Sequence, residues 1–230
     1  MEGINRLFKV LFSPAEVFEK VKKSPKVVLP IIFLSLVVTG TTGYYAYQMN
    51  VPVVLEKEMG MSKFTRQLSD TQKDQIIERQ SKSKYTRIAR PIVKALGTLI
   101  KFLLVGLYLF IAAKLMGSDA GYGQNLAVAV YGSAPAIIAM VVAFAIMLTG
   151  DASTTVFQDL IPSNIGYFFP MEEVGKKLYV LLKSIDFFSI WKFIIMIIGF
   201  STITGTKTWK SAAVILVPWA LFISVLTLVF

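Results

Sequence analysis

The sequence predicts an all-α membrane protein that crosses the bilayer five times. Of the 230 residues, 55% are hydrophobic, and the mean hydropathy is +0.64. Only 17% of the residues are charged, whereas soluble domains have about 25%. The apolar residues also form long blocks of about 20, the length that a helix needs to cross the hydrocarbon core. The longest polar segment, residues 49–91, is too short and too poor in apolar residues to bury a core of its own.

Residues 1–26 are predicted to form a first domain of amphipathic helices that lie in the membrane interface. In residues 2–12, the apolar positions recur at helical spacing, which is typical of an interfacial helix. Ser13 is predicted to cap a second short helix, with Pro14 at its first position and Glu16 completing a capping box. The second predicted domain, residues 27–230, contains the five spans.

The first span is predicted at residues 27–48 and ends in an aromatic belt of tyrosines. The polar loop that follows, 49–91, contains a predicted solvated helix, which Ser69 caps and Gln72 supports through a capping box. The second span, 97–117, is expected to continue a helix that starts near Pro91.

The third span is predicted at residues 126–150 and is rich in small residues, which permit close helix packing in membranes. Its candidate packing and kink residues are Tyr131, Gly132, Pro135 and Ala136. The fourth span is predicted within residues 183–205 and the fifth at residues 211–230. Polar residues 150–182 are predicted to form an interfacial segment that leads into the fourth span.

The composition excludes most catalytic and metal chemistry. The chain has no Cys and no His, which removes thiolate nucleophiles, the commonest metal ligand and the usual general base near neutral pH. Its 14 acidic residues lie at span ends or in polar segments. Catalysis by carboxylates alone stays open, but no H-E-x-x-H, G-x-S-x-G or phosphate-binding Gly-rich motif is present. The sequence therefore predicts a protein that is not an enzyme and that holds no cofactor or metal.

The net charge of +10 predicts contact with anionic lipid head groups, because the basic residues flank apolar segments and no nucleic-acid motif accompanies them. Total counts of basic residues favour neither orientation. The compact cluster before the first span favours a cytoplasmic N-terminus and an extracytoplasmic C-terminus. The candidate lipid contacts in that cluster are Arg6, Lys9, Lys20, Lys22, Lys23 and Lys26.

Three charges lie within or at the edge of spans and form a candidate intramembrane site: Lys101, Asp186 and Lys192. Ionisable residues at such positions often mark transport pathways. Alternatively, the charges are structural, either snorkelling to the head groups or paired across helices. Asp186 and Lys192 are six positions apart, so they lie on different sides of their helix. A pair between Asp186 and Lys101 is the candidate cross-helix contact.

Three stretches, taken together and in order, resemble bacterial members of the Yip-domain (Ypt/Rab-interacting protein) family. They are "LFSPAEVFEKVKKSPKVVLPIIF" with a Pro-x-Glu-x-Phe segment, "GSDAGYGQNLAVAVYGSAPAII" with Tyr131 and Pro135 at the matching places, and "SIDFFSIWKFIIMIIGFSTITG". The last stretch matches at Asp186, Phe188, Trp191 and Gly199. The resemblance covers roughly residues 10–225.

The resemblance implies five membrane helices, a cytoplasmic N-terminus and, for a bacterial member, the inner membrane. Eukaryotic members act with Rab-type GTPases, but their Asp-Leu-Tyr-Gly-Pro motif is absent here. Some bacterial relatives look like accessories to ABC-type export systems. No catalytic residue is carried over.

The function predicted on these grounds is a non-enzymatic scaffold, assembly or accessory factor for another membrane system. Its expected partners are anionic lipids and either another membrane protein or a second copy of the chain, with no nucleic acid. The alternative is a transporter, channel or lipid-moving protein that uses the intramembrane charges.

Overall fold

The computed structural model describes residues 1–61, 65, 67–169 and 171–229. Helices account for most of these residues, and no strand occurs among them. The helices are α1 (Glu2–Lys9), α2 (Pro14–Lys23), α3 (Val28–Gln48), α4 (Val51–Met61), α5 (Asp70–Lys82), α6 (Lys84–Leu115), α7 (Tyr122–Gly132), α8 (Pro135–Thr149), α9 (Met171–Val174), α10 (Lys176–Ser184), α11 (Phe187–Thr204) and α12 (Thr208–Val229).

Within the described residues, five helical stretches are long and apolar enough to cross a membrane. The third stretch combines α7 and α8, whereas each of the others lies within one helix. The predicted all-α, five-span membrane class is therefore confirmed. The stretches are Val28–Gln48, Arg87–Leu115, Tyr122–Thr149, Phe187–Thr204 and Thr208–Thr227.

The chain divides into two compact units. The first unit contains Met1–Ser35, Gly97–Ile138 and Ser163–Phe230, and the second contains Leu36–Leu96 and Ala139–Pro162. Helices α1 and α2 thus belong to the same unit as most of the membrane helices. The predicted domain boundary after residue 26 stays a prediction.

The third span is interrupted where α7 ends and α8 begins. Pro135 has no backbone N–H, so it cannot bond to the carbonyl of Tyr131 four residues earlier. The N–H of Ala134 donates to that carbonyl instead, at 3.0 Å. The Ser133 hydroxyl donates to the Ala129 carbonyl at 2.9 Å. The break therefore leaves these two carbonyls hydrogen-bonded inside the membrane, as hydrocarbon surroundings require.

Helix ends were predicted with mixed success. The capping box at α5 is confirmed: the Gln72 N–H donates to Ser69 Oγ at 3.3 Å, and the Ser69 N–H donates to Gln72 Oε1 at 3.0 Å. The capping box at α2 was wrong, because the Ser13 side chain makes no capping bond. Its expected partner, Glu16, binds lysines instead. Helix α6 begins at Lys84, before its internal Pro91.

The second unit has a hydrophobic core of its own. Apolar residues of α4, among them Val54 and Leu55, pack with the end of α3 and with residues around Met147 and Leu160. The Tyr45 hydroxyl donates to the Thr155 carbonyl at 2.9 Å. Part of the polar loop is thus buried, because neighbouring segments supply the apolar surface that the loop lacks.

Candidate functional site

Helix α2 is held against the membrane helices by its apolar stripe. Val17, Phe18 and Val21 are each no more than 1% exposed. The Phe18 ring packs edge-on against Tyr131, with centroids 6.4 Å apart. A Cβ at Gly199 would lie 2.5 Å from Phe18 Cζ, so only glycine admits the ring there. We call Phe18, Tyr131 and Gly199 the Phe18 cluster. It joins the three stretches that carry the family resemblance.

Side-chain donors hold the chain between α2 and α3. The carbonyls at a helix end lack partners within the helix, and here other elements supply them. Gln124 Nε2 donates to the Lys22 carbonyl at 2.6 Å, and the Tyr131 hydroxyl donates to the Lys26 carbonyl at 2.7 Å. Arg6 donates to the Ser24 carbonyl at 2.6 Å. Helices α1 and α7 therefore fix this segment from both sides.

The predicted lipid-contact residues separate into two groups. Arg6 was expected on the polar face of α1, but it is only 7% exposed and pairs with Glu2. Its guanidinium therefore binds groups of the protein itself, Glu2 and the Ser24 carbonyl. The other residues of the set are exposed on α1, α2 and the segment after α2: Lys9, Lys20, Lys22, Lys23 and Lys26.

Glutamates partly neutralise these lysines. Glu16 binds Lys9 at 2.6 Å and Lys20 at 3.1 Å, and the hydrogen bond from Lys9 is the main cause that holds the pKa of Glu16 below its ordinary value. Lys26, together with Arg6, lowers the pKa of Glu2 in the same way. Five exposed lysines face three glutamates, since Glu19 also pairs with Lys22. The outer surface therefore keeps a positive surplus.

Asp186 acts as the N-cap of α11. One carboxylate oxygen accepts the Ser189 N–H at 2.8 Å, and the other accepts the Ser163 hydroxyl. Among the ion pairs of the described residues, none includes Asp186. The three predicted charges thus have different contacts: Asp186 caps a helix and attracts Lys192 only through space, while Lys101 and Lys192 line the same cavity.

Lys101 and Lys192 line one cavity of about 170 Å³ inside the first unit. As parts of the second and fourth spans, α6 and α11 run in the same direction across the membrane. Each lysine is the first residue along its own helix to line the cavity, so both lie at the same end of it. In the described structure, no ion pair or hydrogen bond includes either ammonium group. Lys192 Nζ lies 4.5 Å from the Phe193 ring centroid.

The same cavity contains a polar contact that was not predicted from the sequence. Pro218 lies inside α12 and cannot donate to the carbonyl of Val214, four residues earlier. The Tyr108 hydroxyl of α6 donates to that carbonyl at 2.7 Å. The signal was available in the sequence, because a proline inside a span always leaves one carbonyl to be satisfied by a neighbour.

We expect Tyr108→Phe to lower the free energy of unfolding by about 1 kcal/mol, within the range measured for hydrogen bonds between membrane helices. In a Pro218→Ala background, the introduced alanine restores an N–H that can bond to the Val214 carbonyl. The same Tyr108→Phe change should then cost almost nothing. Unfolding in mixed micelles measures both values. An equal cost in both backgrounds would contradict the role given to the hydroxyl.

The predicted packing residues of the third span lie against neighbouring helices. A Cβ at Gly132 would overlap Met196 Cγ of α11, so this glycine permits close approach. Pro135 is buried at the start of α8, and Ala136 beside it is partly exposed. A closer backbone contact lies elsewhere: a Cβ at Gly106 would stand 2.9 Å from Leu126 Cα. Gly106 was not predicted, because a single glycine in an apolar run carries no spacing signal.

A larger cavity, of about 510 Å³, lies in the second unit. Its wall contains an ion pair in which Arg90 contacts Glu58 with both terminal nitrogens, at 3.1 and 3.4 Å. Tyr45 and Phe157 contribute aromatic surface to the same cavity. No sequence pattern indicated it, since Glu58 and Arg90 are far apart in the polar loop.

The geometry defines the class of protein: a five-span helical membrane protein with two surface helices built into its membrane bundle. Among the described residues, no group of three or more acidic, His or Cys side chains could hold a metal ion. The chain belongs to the Yip1 domain family, whose model matches residues 8–229. No curated protein and no solved structure gave a significant match.

Proposed function

We propose that this protein is a non-enzymatic scaffold or accessory factor that presents α1 and α2 to a partner membrane system. The observation that supports this proposal is the docking of α2 in the Phe18 cluster. The inner face of the two helices is locked by packing and by hydrogen bonds. Their outer face presents lysines together with Phe8 and Phe12, which are 44% and 83% exposed. We call this outer face the basic surface.

A photo-crosslinkable residue at Phe12, introduced in native membranes, tests the scaffold role. We expect a protein adduct of one reproducible mass, because Phe12 lies at the exposed side of the turn between α1 and α2. A probe at Leu7, which is 0% exposed, is the matched control and should crosslink only within the chain. Adducts with lipid alone at Phe12, in several membrane compositions, would count against a protein partner.

The proposed location is a cell membrane, specifically the bacterial inner membrane, with the N-terminus in the cytoplasm. The compact basic cluster before the first span supports this orientation. Because the chain has no native Cys, a single cysteine replacing Ala15 would report its side unambiguously. Labelling of that cysteine by an impermeant reagent from outside intact cells would reverse the proposed topology.

The basic surface is proposed to bind anionic head groups of the adjacent leaflet. We expect replacement of Lys9, Lys20, Lys22, Lys23 and Lys26 by Gln to reduce anionic-lipid enrichment around the protein at least about tenfold, given roughly 1 kcal/mol per surplus lysine. Nanodiscs of mixed neutral and anionic lipids measure the enrichment. A control with Lys73 and Lys82 changed to Gln should behave as the wild type. Wild-type enrichment that does not fall as salt rises would contradict an electrostatic contact.

A transporter or lipid-moving function is the second candidate. It is supported by Lys101 and Lys192, which line the same cavity within the membrane. Flux into liposomes that requires both Lys101 and Lys192 would favour this function over a scaffold. Flux that is unaffected by changing both residues to Met would rule out a transport function that depends on these lysines.

A further inference from the structure

We propose that Lys101 and Lys192 bind the phosphate of an anionic phospholipid in the leaflet opposite the basic surface. This goes beyond the scaffold role and does not depend on it.

Helix register places the two lysines at nearly the same depth. Counted from the end of its helix, at Leu115 or Thr204, each lysine lies about 20 Å into the membrane at 1.5 Å per residue. Across a hydrocarbon core of about 30 Å, each Cα is therefore about 10 Å from the far boundary. The Cα–Cβ bonds tilt toward the helix N-termini; α11 begins near that far boundary, at Phe187, and α6 begins beyond it, at Lys84. Both side chains thus lean toward the head groups of that leaflet.

Two like charges at this depth favour a shared anion, because charge is costly in hydrocarbon. In the described residues, neither ammonium group forms an ion pair or a hydrogen bond. The Asp186 carboxylate attracts Lys192 only through space, since its oxygens accept the Ser189 N–H and the Ser163 hydroxyl. A second copy of the chain has acidic residues only at span ends and in polar segments, so it could supply the anion only from a span end and only after assembly. An acidic helix of another protein could supply it only after assembly. Anionic lipid is present from the moment of insertion, which favours the lipid.

The cavity matches part of a lipid rather than a free solute. Its volume of about 170 Å³ is below the range of roughly 300–1,000 Å³ that holds a whole small molecule. One end carries the lysines, and the remainder of the wall is largely apolar, including Phe102, Leu109 and Met196. A lipid phosphate would bind the two lysines at one end of the cavity, and the start of its acyl chain would pack along the apolar wall.

Native mass spectrometry of the full-length protein tests the proposal. The experiment uses the variant with five Gln substitutions in the basic surface, so that the basic surface does not contribute. We expect retained phosphatidylglycerol in preference to phosphatidylcholine. Changing Lys101 and Lys192 to Met should reduce that preference roughly 30-fold. Changing both lysines to Arg should keep it, and Lys114→Met, on the same helix outside the cavity lining, should leave it unchanged.

Two results would overturn the proposal. The first is an unchanged preference in the Met variant; if a co-purifying membrane protein is lost at the same time, the lysines bind an acidic partner helix. The second is competition by soluble glycerol phosphate as effective as that by the lipid, which would indicate a free-anion site. Because Met removes two like charges from hydrocarbon, this variant should fold at least as stably as its parent, and thermal unfolding checks that.

Discussion

Phe18→Ala is expected to lower the free energy of unfolding by about 3 kcal/mol, at the lower end of the cost of truncating a buried Phe. The ring is 0% exposed and fills the space between Tyr131 and Gly199. The lower end applies because a detached α2 would still lie in the interface and keep part of the ring out of water. Unfolding in mixed micelles gives the value, and Phe12→Ala, at an 83% exposed position, is the matched control with a cost near zero.

A double-mutant cycle makes this prediction specific to the Phe18 cluster. Gly199→Ala alone should cost about 1–3 kcal/mol, because the new methyl overlaps three atoms of the Phe18 ring. With Phe18→Ala present, the methyl meets no ring and the added cost should largely disappear. A coupling energy of about 1 kcal/mol or more is expected for residues in such contact. Additive costs would show that the two positions do not meet.

Gly106→Ala is the second substitution with a large expected effect. Its Cβ would lie 2.9 Å from Leu126 Cα and 3.1 Å from Leu126 Cδ1. Because backbone cannot rotate away as a side-chain end can, α6 and α7 must separate. We expect a loss of about 2 kcal/mol, typical of overpacking, measured by the same unfolding assay.

Gly97→Ala is the control for this effect on the same helix. No atom lies within 4 Å of a Cβ at Gly97, so only the helix propensity changes, and alanine is favoured by up to about 1 kcal/mol. Gly106→Ala should therefore lower the free energy of unfolding, whereas Gly97→Ala should raise it. If both variants lost stability equally, the contact between α6 and Leu126 would not be the cause.

The fold class could be predicted because a long, continuous apolar segment in a bilayer satisfies its backbone hydrogen bonds by forming a helix. The α5 cap was also predictable, since Ser69 and Gln72 act locally. The α2 cap was not, because Glu16 had two lysines to bind, and one of them, Lys9, lies on the preceding helix. Whether Glu16 caps its helix or binds a lysine depends on contacts between distant segments, and the periodicity of the sequence does not reveal those contacts.

The candidate site was only partly accessible from the sequence for the same reason. Lys101 and Lys192 were recognised because charge in a span is unusual. Their meeting at one cavity depends on helix rotation and neighbour choice, which no local pattern encodes. The burial of Arg6 likewise depends on the Ser24 carbonyl, 18 positions away.

Amide hydrogen exchange in nanodiscs tests the central claim, that α2 is an integral part of the membrane bundle. Helix α5, which has no buried residues, provides the reference for fast exchange, and α7, where Asn125 to Gly132 are all buried, provides the slow reference. The Phe18 cluster predicts that α2 exchanges nearly as slowly as α7, and that Phe18→Ala speeds α2 selectively. Exchange of α2 as fast as that of α5 in the wild-type protein would contradict the account.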